Sequence, residues 1–174
     1  MRVLQYLWFH FITLATGWLP DFRPFLRLRG FLLRPAFKSC GGNLQVARGV
    51  TINFTNRMQI GSDVFIGAGA WLHATGGIVL QDEAQIGPYA VLVTGDHTQV
   101  DGSYRFGPSR VAPIQICQGA WVAAHATVTK GVVIGRGAVL AANSVSTEDV
   151  PPLAVAAGVP ARVVQRKARI QVVR

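Results

Sequence analysis

The sequence predicts an all-β protein, a parallel β-helix whose coils are built from six-residue units. An aliphatic residue recurs every six positions from Val46 to Leu140, with only a few longer steps. A small or branched residue often stands four positions later, as Ala70 does after Ile66. Neither the 3.6-residue period of an α-helix nor simple alternation fits this spacing, whereas short strands joined by tight turns do. Three sides per coil would stack the aliphatic side chains into one continuous core. These positions are Val46, Ile52, Ile60, Ile66, Leu72, Leu80, Ile86, Leu92, Ile116, Val122, Val128, Ile134 and Leu140.

The longer steps all fall at one corner of the predicted coil. When the three sides are counted from Val46, the steps from the second side to the third measure 8, 8, 24 and 6 residues, and every other step is six. Insertions at the same corner of successive coils lie along one edge of the stack. A purely structural repeat does not require polar residues to gather there, so we expect this edge to be functional. The residues gathered there are Asn56, Arg57, Thr75, Asp96 and His97.

The charge of the chain is unevenly distributed. Of the formal net charge of +9, residues 1–48 contribute seven basic residues against the single acid Asp21. Residues 160–174 contribute five basic residues and no acid, and the central part is slightly acidic. A nucleic-acid-binding protein would more commonly spread basic residues over one face together with aromatic ones, so we predict no nucleic-acid partner.

The N-terminal segment, residues 1–43, is predicted to be helical, apolar and basic. Its first apolar run of about 17 residues is shorter than the ~20 residues that a membrane-spanning helix needs. Three alternatives remain open: a helix lying in a membrane interface, a hydrophobic cap on the β-helix or a partner subunit, and a signal peptide. Trp8 and Trp18 and the arginines that follow favour the interfacial helix. The β-helix is predicted over 44–150, with a protruding loop at 97–113, and a C-terminal segment over 151–174.

The repeat, the long loop after "VTGDH" and the ending "STEDVPPLAVAAGVPARVV" together resemble the hexapeptide-repeat acyltransferases. The resemblance is strongest to the sugar and xenobiotic O-acetyltransferase branch, and it covers roughly residues 46–166. It implies that the β-helix is left-handed and that the protein is a homotrimer with active sites between adjacent subunits. It also implies acetyl-coenzyme A as the acyl donor.

The first residue of the long loop offers the chemistry that acyl transfer requires. A partly neutral histidine at cytoplasmic pH is able to remove the proton of an acceptor hydroxyl, and His97 matches the catalytic histidine of the family. Asp96 and Asp101 are candidates to orient its ring, although we expect both to be solvated acids. The resemblance assigns the oxyanion-stabilising backbone N–H to Ala124. His10, His73 and His125 are interpreted as structural or surface residues.

The remaining site residues are also implied by the resemblance. Ala142 and Thr147 are expected to line the pantetheine and adenine region, with Arg162 and Arg166 near the coenzyme phosphates or adenine. Gln165 stands where the family often has a second arginine. Trp121 matches a tryptophan beside the active site. The acceptor residues of galactoside-type members are absent, since Gly67 and Thr75 occupy their positions. Candidates for the acceptor region are therefore Asn56, Arg57, Thr75, Tyr104 and Trp121.

These observations predict an acetyl-coenzyme A-dependent O-acetyltransferase that acts on a sugar hydroxyl in surface polysaccharide or glycolipid biosynthesis. The alternatives are N-acylation of an amino-sugar nucleotide and a non-catalytic β-helix scaffold. A zinc hydratase on the same fold needs a close histidine pair, which spacings of 24 and 28 residues between His73, His97 and His125 do not supply, so no metal is predicted. We expect a cytoplasmic protein, peripheral on the inner face of the membrane if residues 1–38 bind lipid.

Overall fold

The computed structural model describes residues 2–166, and side chains from residue 3 to residue 165. Two helices precede a series of short strands. The helices are α1 (Arg2–Thr16) and α2 (Arg23–Leu33), and 3₁₀ turns lie at Arg34–Ala36 and Thr55–Arg57. The strands are β1 (Ser39–Cys40), β2 (Gln45–Val46), β3 (Thr51–Asn53), β4 (Met58–Ile60), β5 (Phe65–Ile66), β6 (Trp71–His73), β7 (Ile78–Leu80), β8 (Gln85–Ile86), β9 (Val91–Val93), β10 (Gly95–His97), β11 (Ser109–Val111), β12 (Ile114–Ile116), β13 (Trp121–Val122), β14 (Thr127–Val128), β15 (Val133–Ile134), β16 (Val139–Leu140), β17 (Val145–Ser146), β18 (Ala154–Gly158) and β19 (Ala161–Arg166).

The strands form the three sides of a prism, as the spacing predicts. The first side has the order β2-β5-β8-β13-β16-β18-β19, the second β3-β6-β9-β14-β17 and the third β1-β4-β7-β12-β15. Neighbouring strands within each side are parallel, apart from the antiparallel pair β18–β19. The parallel β-helix is therefore confirmed. It begins at Ser39, slightly before the boundary that the sequence suggests at residue 44.

The core is a stack of the aliphatic residues that define the repeat. On the second side Ile52 pairs in register with Leu72, Leu72 with Leu92, and Leu92 with Val128. All four are fully buried. Successive side chains of a strand point to opposite faces, so each of these residues points inward between outward neighbours, and a second buried residue stands two positions before it, as Ala70 does before Leu72.

The insertions lie at the corner that the step lengths indicate, between the second and third sides. The largest runs from Thr94 to Pro113 and contains an antiparallel ribbon of β10 and β11, in which His97 pairs with Ser109. Within the β-helix itself the coil resumes in register, since β12 pairs with β7 over Ile114–Ile116.

The two helices close the N-terminal end of the β-helix. Phe9 and Ile12 of α1, and Leu33 of α2, belong to the same buried core as the strands. This packing corresponds to the cap that the sequence left open as an alternative. Within residues 2–166, no helix combines the length and the apolarity that crossing a bilayer requires.

A buried arginine joins the helices to the first coil. The side chain of Arg29 is only 2% exposed. It donates five hydrogen bonds to Thr16 (Oγ1 and O), Asp21 Oδ1, Leu19 O and Val46 O. Because these partners come from α1, the α1–α2 connection and β2, one guanidinium fixes the position of the cap on the prism.

Candidate active site

Two edges of the prism hold most of the predicted site residues. The loop edge, between the second and third sides, consists of residues 54–57, 74–77, 94–113, 129–132 and 147–149. The turn edge, between the first and second sides, consists of residues 47–50, 67–70, 87–90, 123–126 and 141–144. About four extended residues separate the two edges, which places them roughly 13 Å apart within one chain.

His97 lies on the loop edge, at the end of β10, with its side chain exposed. Asp96, its neighbour, forms an ion pair with Lys130 of the coil above, with an Oδ2–Nζ distance of 3.1 Å. Adjacent side chains on a strand point to opposite faces, so the Asp96 carboxylate faces Lys130 and not the imidazole. Asp96 therefore does not orient His97. Asp101 lies farther out, in the turn at the loop tip, with a φ of 49°.

Below the ribbon, the loop edge contains a hydrogen-bonded cluster around His73. Its Nε2 lies 2.7 Å from Thr75 Oγ1, and its Nδ1 lies 3.4 Å from Asn53 Oδ1. Thr94 Oγ1 donates to the backbone carbonyl of His73 and accepts from the N–H of Gly76, both at 2.7 Å. The Thr75 hydroxyl is thus held by His73 and is not a free side chain.

Arg57 and the aromatic residues complete this cluster. The guanidinium of Arg57 donates to the backbone carbonyl of Thr75 and lies over the ring of Phe54, 5.5 Å from its centroid. Phe54 and Trp71 both contact the His73 ring, at centroid distances of 5.4 and 5.5 Å. Asn56 lies in the same turn as Arg57, whereas Tyr104 is exposed on the loop.

The turn edge provides an unpaired backbone donor at Ala124. The N–H of Ala126 donates to the carbonyl of Ala123 at 3.2 Å, and His125 has a φ of 56°, so Ala124 is the second residue of a tight turn. In such a turn the N–H of the second residue points away from the turn, and the Ala124 N–H has no backbone partner among the described residues. A donor fixed in this way is suited to stabilising an oxyanion.

Trp121 precedes this turn on β13, on the outward face of the first side. Its indole is 43% exposed, and its strand neighbours in the adjacent coils are Gln85 and Val139. The aromatic ring therefore presents an apolar surface next to the Ala124 turn.

The predicted coenzyme residues lie in the last coil and the C-terminal hairpin. Ala142 is exposed on the turn edge, and Thr147 is exposed on the loop edge. Arg162 is the second residue of the outer strand of the hairpin and forms an exposed ion pair with Glu148, at 3.6 Å. Arg166 ends β19, and its side chain lies outside the described residues, as do Lys167 and Arg169.

One chain does not bring all these groups together. His97, Thr75, Arg57 and Thr147 share the loop edge, whereas Ala124 lies on the turn edge. A base and an oxyanion donor act on the same reacting carbonyl over hydrogen-bond distances of about 3 Å, far less than the spacing of the two edges. Within one chain, His97 and Ala124 therefore do not reach a common reacting carbonyl.

Comparison with known proteins agrees with the repeat and with the position of the loop. The family model "Hexapeptide repeat of succinyl-transferase" matches residues 58–87 and 113–147, on either side of the His97 loop. Galactoside O-acetyltransferase of Escherichia coli is 28% identical over 137 residues, covering 79% of this chain and 68% of the relative. A candidate acetyltransferase of colanic acid biosynthesis in E. coli, WcaF, is 27% identical over 161 residues, covering 92% and 86%.

A solved structure shares the fold over almost the whole chain. A hexapeptide-repeat acetyltransferase of Vibrio cholerae, in complex with acetyl-coenzyme A, superposes with a TM-score of 0.81 and 25% identity, covering 95% of this chain and 88% of the other. The chain therefore has the repeat and the fold of the hexapeptide-repeat acyltransferases. Because a coil of the opposite hand would not superpose in this way, the acyltransferase has the left-handed β-helix that the resemblance implies.

Sequence analysis missed His73 as a member of the acyltransferase's loop-edge cluster. It was interpreted as a structural or surface residue because it lies outside the corner insertions. A signal was present, since Trp71 and His73 are two apart on a strand and so share its outer face beside the irregular corner. Among residues 2–166, no three His, Cys, Asp or Glu side chains are grouped closely enough to hold a metal ion.

Proposed function

We propose that this acyltransferase transfers an acetyl group from acetyl-coenzyme A to a sugar hydroxyl, in the assembly of a surface polysaccharide or glycolipid, on the cytoplasmic side of the membrane. The observation that supports this most is the presence of two groups: an exposed histidine on the long loop, and a turn-edge backbone N–H that has no partner among the described residues. The names of the relatives support the same chemistry: a galactoside O-acetyltransferase, a candidate colanic acid acetyltransferase and an enzyme that binds acetyl-coenzyme A.

The proposed reaction is a direct transfer in a ternary complex. The imidazole of His97 removes the proton of the acceptor hydroxyl as its oxygen attacks the thioester carbonyl carbon. The negative charge that develops on the carbonyl oxygen is stabilised by the Ala124 N–H. When the C–S bond breaks, the sulfur of coenzyme A receives the proton from the imidazolium, which returns His97 to its neutral form.

We infer that the protein acts as a homotrimer, in which His97 of one subunit and Ala124 of its neighbour share a cleft. The separation of the loop and turn edges within one chain supports this arrangement. In the same cleft, Ala142 and Thr147 would line the coenzyme, and Arg162 and Arg166 would contact its phosphates or adenine. The exposed Arg162–Glu148 pair contributes little stability, so Arg162 is able to exchange its carboxylate partner for a phosphate.

We place the acceptor along the loop edge, against Asn56, Arg57, Thr75, Tyr104 and the neighbour's Trp121. The His73 network orients the Thr75 hydroxyl, and the Trp71 and Phe54 rings provide apolar faces of the kind on which sugar rings pack. The proposal is tested by measuring the release of the coenzyme A thiol from acetyl-coenzyme A with four kinds of acceptor: neutral sugars, nucleotide sugars, amino-sugar nucleotides and lipid-linked sugars. Thiol release with amino sugars alone would indicate N-acylation in place of O-acetylation. The absence of thiol release with every acceptor would favour a non-catalytic scaffold.

Replacing Ala124 by proline should abolish the oxyanion donor without disturbing the fold. Pro88 occupies the same turn position one coil below. A glycine approaches the backbone nitrogen at both positions, Gly67 at Pro88 and Gly87 at Ala124, so the space around the nitrogen is alike. We expect kcat to fall about 10²–10³-fold, as when an oxyanion donor is removed, with an unchanged melting temperature. Ala124→Ser, which keeps the N–H, is the matched control and should stay within severalfold of wild type. Equal kcat values for the proline and serine variants would exclude Ala124 as the donor.

Mixing two inactive variants tests whether the site is shared between subunits. Trimers assembled from equal amounts of His97→Ala and Ala124→Pro chains contain clefts in which both residues are wild type. If adjacent chains contribute one residue each, random mixing restores about one quarter of the sites. Variants refolded separately and then combined without subunit exchange are the control. No recovery in verified mixed trimers would place both groups in the same subunit.

A further inference from the structure

The outward face of α1 is apolar although no other residue between 2 and 166 covers it. The inward face, with Phe9, Ile12 and Thr16, is buried against the prism. The opposite face exposes large apolar side chains, Leu14 being 82% exposed. A surface helix on a water-soluble domain ordinarily places polar residues there. The exposed apolar residues of α1 are Val3, Leu4, Leu7, Phe11 and Leu14.

Apart from the exposed Tyr6 and His10, whose rings contact each other, the polar side chains of α1 form hydrogen bonds inside the helical hairpin. The hydroxyls of Thr13 and Thr16 donate to backbone carbonyls one turn earlier, at 3.0 and 2.7 Å. The indole N–H of Trp8 donates to Leu32 O, and Gln5 turns back to donate to Pro35 O. Hydroxyls that bond within their own helix are compatible with an apolar surrounding, so this face has few groups that require water.

The apolar surface continues across the connection and onto α2. Trp18 is 78% exposed, and its N–H already donates to Ala15 O at 2.9 Å, so it presents only its ring. Phe22, Leu28 and Phe31 are exposed as well. A patch built from this many large side chains is more than the scattered apolar residues of an ordinary surface and indicates an interaction site.

Basic residues border this patch, and its one acid is neutralised. Arg23, Arg27, Arg34 and Lys38 are exposed. Asp21 is paired with both Arg29 and Arg48. The uncompensated charge next to the apolar face is therefore positive, which is complementary to anionic lipid headgroups and not to a second copy of the same basic surface.

We propose that the outward face of the α1–α2 hairpin docks in the headgroup region of an anionic membrane. Helix α1 has 15 residues, which suits a helix lying in the interface better than one crossing the bilayer. The tryptophan rings and aliphatic side chains enter the boundary of the acyl chains, and the basic residues meet lipid phosphates. The buried face continues to close the prism, so one hairpin caps the fold and binds the membrane. This inference concerns binding alone and is independent of the acetyl transfer.

Co-sedimentation of the full-length protein with vesicles tests the proposal. We expect binding to vesicles of phosphatidylcholine mixed with phosphatidylglycerol, weaker binding to phosphatidylcholine alone, and release at high salt. The double variant Phe11→Glu/Leu14→Glu should lower partitioning at least about 100-fold, because two large apolar side chains no longer enter the interface. Arg23→Gln/Arg27→Gln should weaken binding to the anionic vesicles about 25-fold while leaving binding to phosphatidylcholine unchanged.

A matched control uses two equally exposed aliphatic residues at the other end of the prism. Val159→Glu/Val164→Glu introduces the same charge change and should bind vesicles like wild type. Wild-type protein that remains in the supernatant with both vesicle types would overturn the proposal, as would an equal loss in the control. If the Phe11/Leu14 variant instead lowers the oligomer mass or the melting temperature sharply, the face is buried against another copy, which also overturns it.

Discussion

The His97→Ala variant should lose at least about 10²-fold in kcat, with the affinity for acetyl-coenzyme A nearly unchanged. General-base catalysis by a positioned side chain contributes about 10²–10⁴-fold, and alanine removes the proton acceptor without adding bulk. The side chain of His97 is exposed on the ribbon, so its loss should not alter the melting temperature. Steady-state release of the coenzyme A thiol, with the acceptor identified by the panel above, measures the effect.

His10→Ala provides the control for this variant. His10 is also an exposed histidine, but it lies on α1 beside residues 49–51 of the first coil, two coils below the His97 loop and three below Ala124. Its replacement should leave kcat within about twofold of wild type. Full activity of His97→Ala would exclude His97 as the base, and an equal loss in both variants would point to a general effect of removing surface histidines.

Replacing Arg29 by methionine should lower the free energy of unfolding by about 3–5 kcal/mol. Methionine fills much of the same space but leaves the carbonyls of Thr16, Leu19 and Val46 without their buried donor. Unpaired buried acceptors, together with the loss of a buried ion pair to Asp21, account for a cost of this size. For a chain of 174 residues this corresponds to a fall in melting temperature of roughly 10 °C.

Arg48→Met is the matched control, because Arg48 binds the same carboxylate of Asp21 from the surface. Its side chain is 54% exposed, and exposed ion pairs contribute at most about 1 kcal/mol. Urea unfolding of both variants separates the buried contribution from the exposed one. Similar losses from the two substitutions would mean that Arg29 acts only through its charge on Asp21, and that the backbone acceptors are satisfied in another way.

The sequence by itself determined the coil and the position of its irregular corner. The inward residues of each side must fill a prism of fixed width, so the six-residue period allows little else, and Ile52, Leu72, Leu92 and Val128 stack as their spacing predicts. The same regularity made the 24-residue step after Leu92 visible, and with it His97 as the candidate base. The residues of the last coil were named from the family resemblance, not from the spacing.

Only the tertiary structure decided which groups face one another. Spacing along a coil gives the position of a residue around the prism, but hydrogen-bond partners depend on the coils above and below. Sequence analysis therefore could not show that Asp96 pairs with Lys130, or that His73 holds Thr75. For the N-terminal segment an apolar pattern fits both a cap and a membrane-binding helix, and only packing showed that α1 buries one apolar face while the other stays exposed.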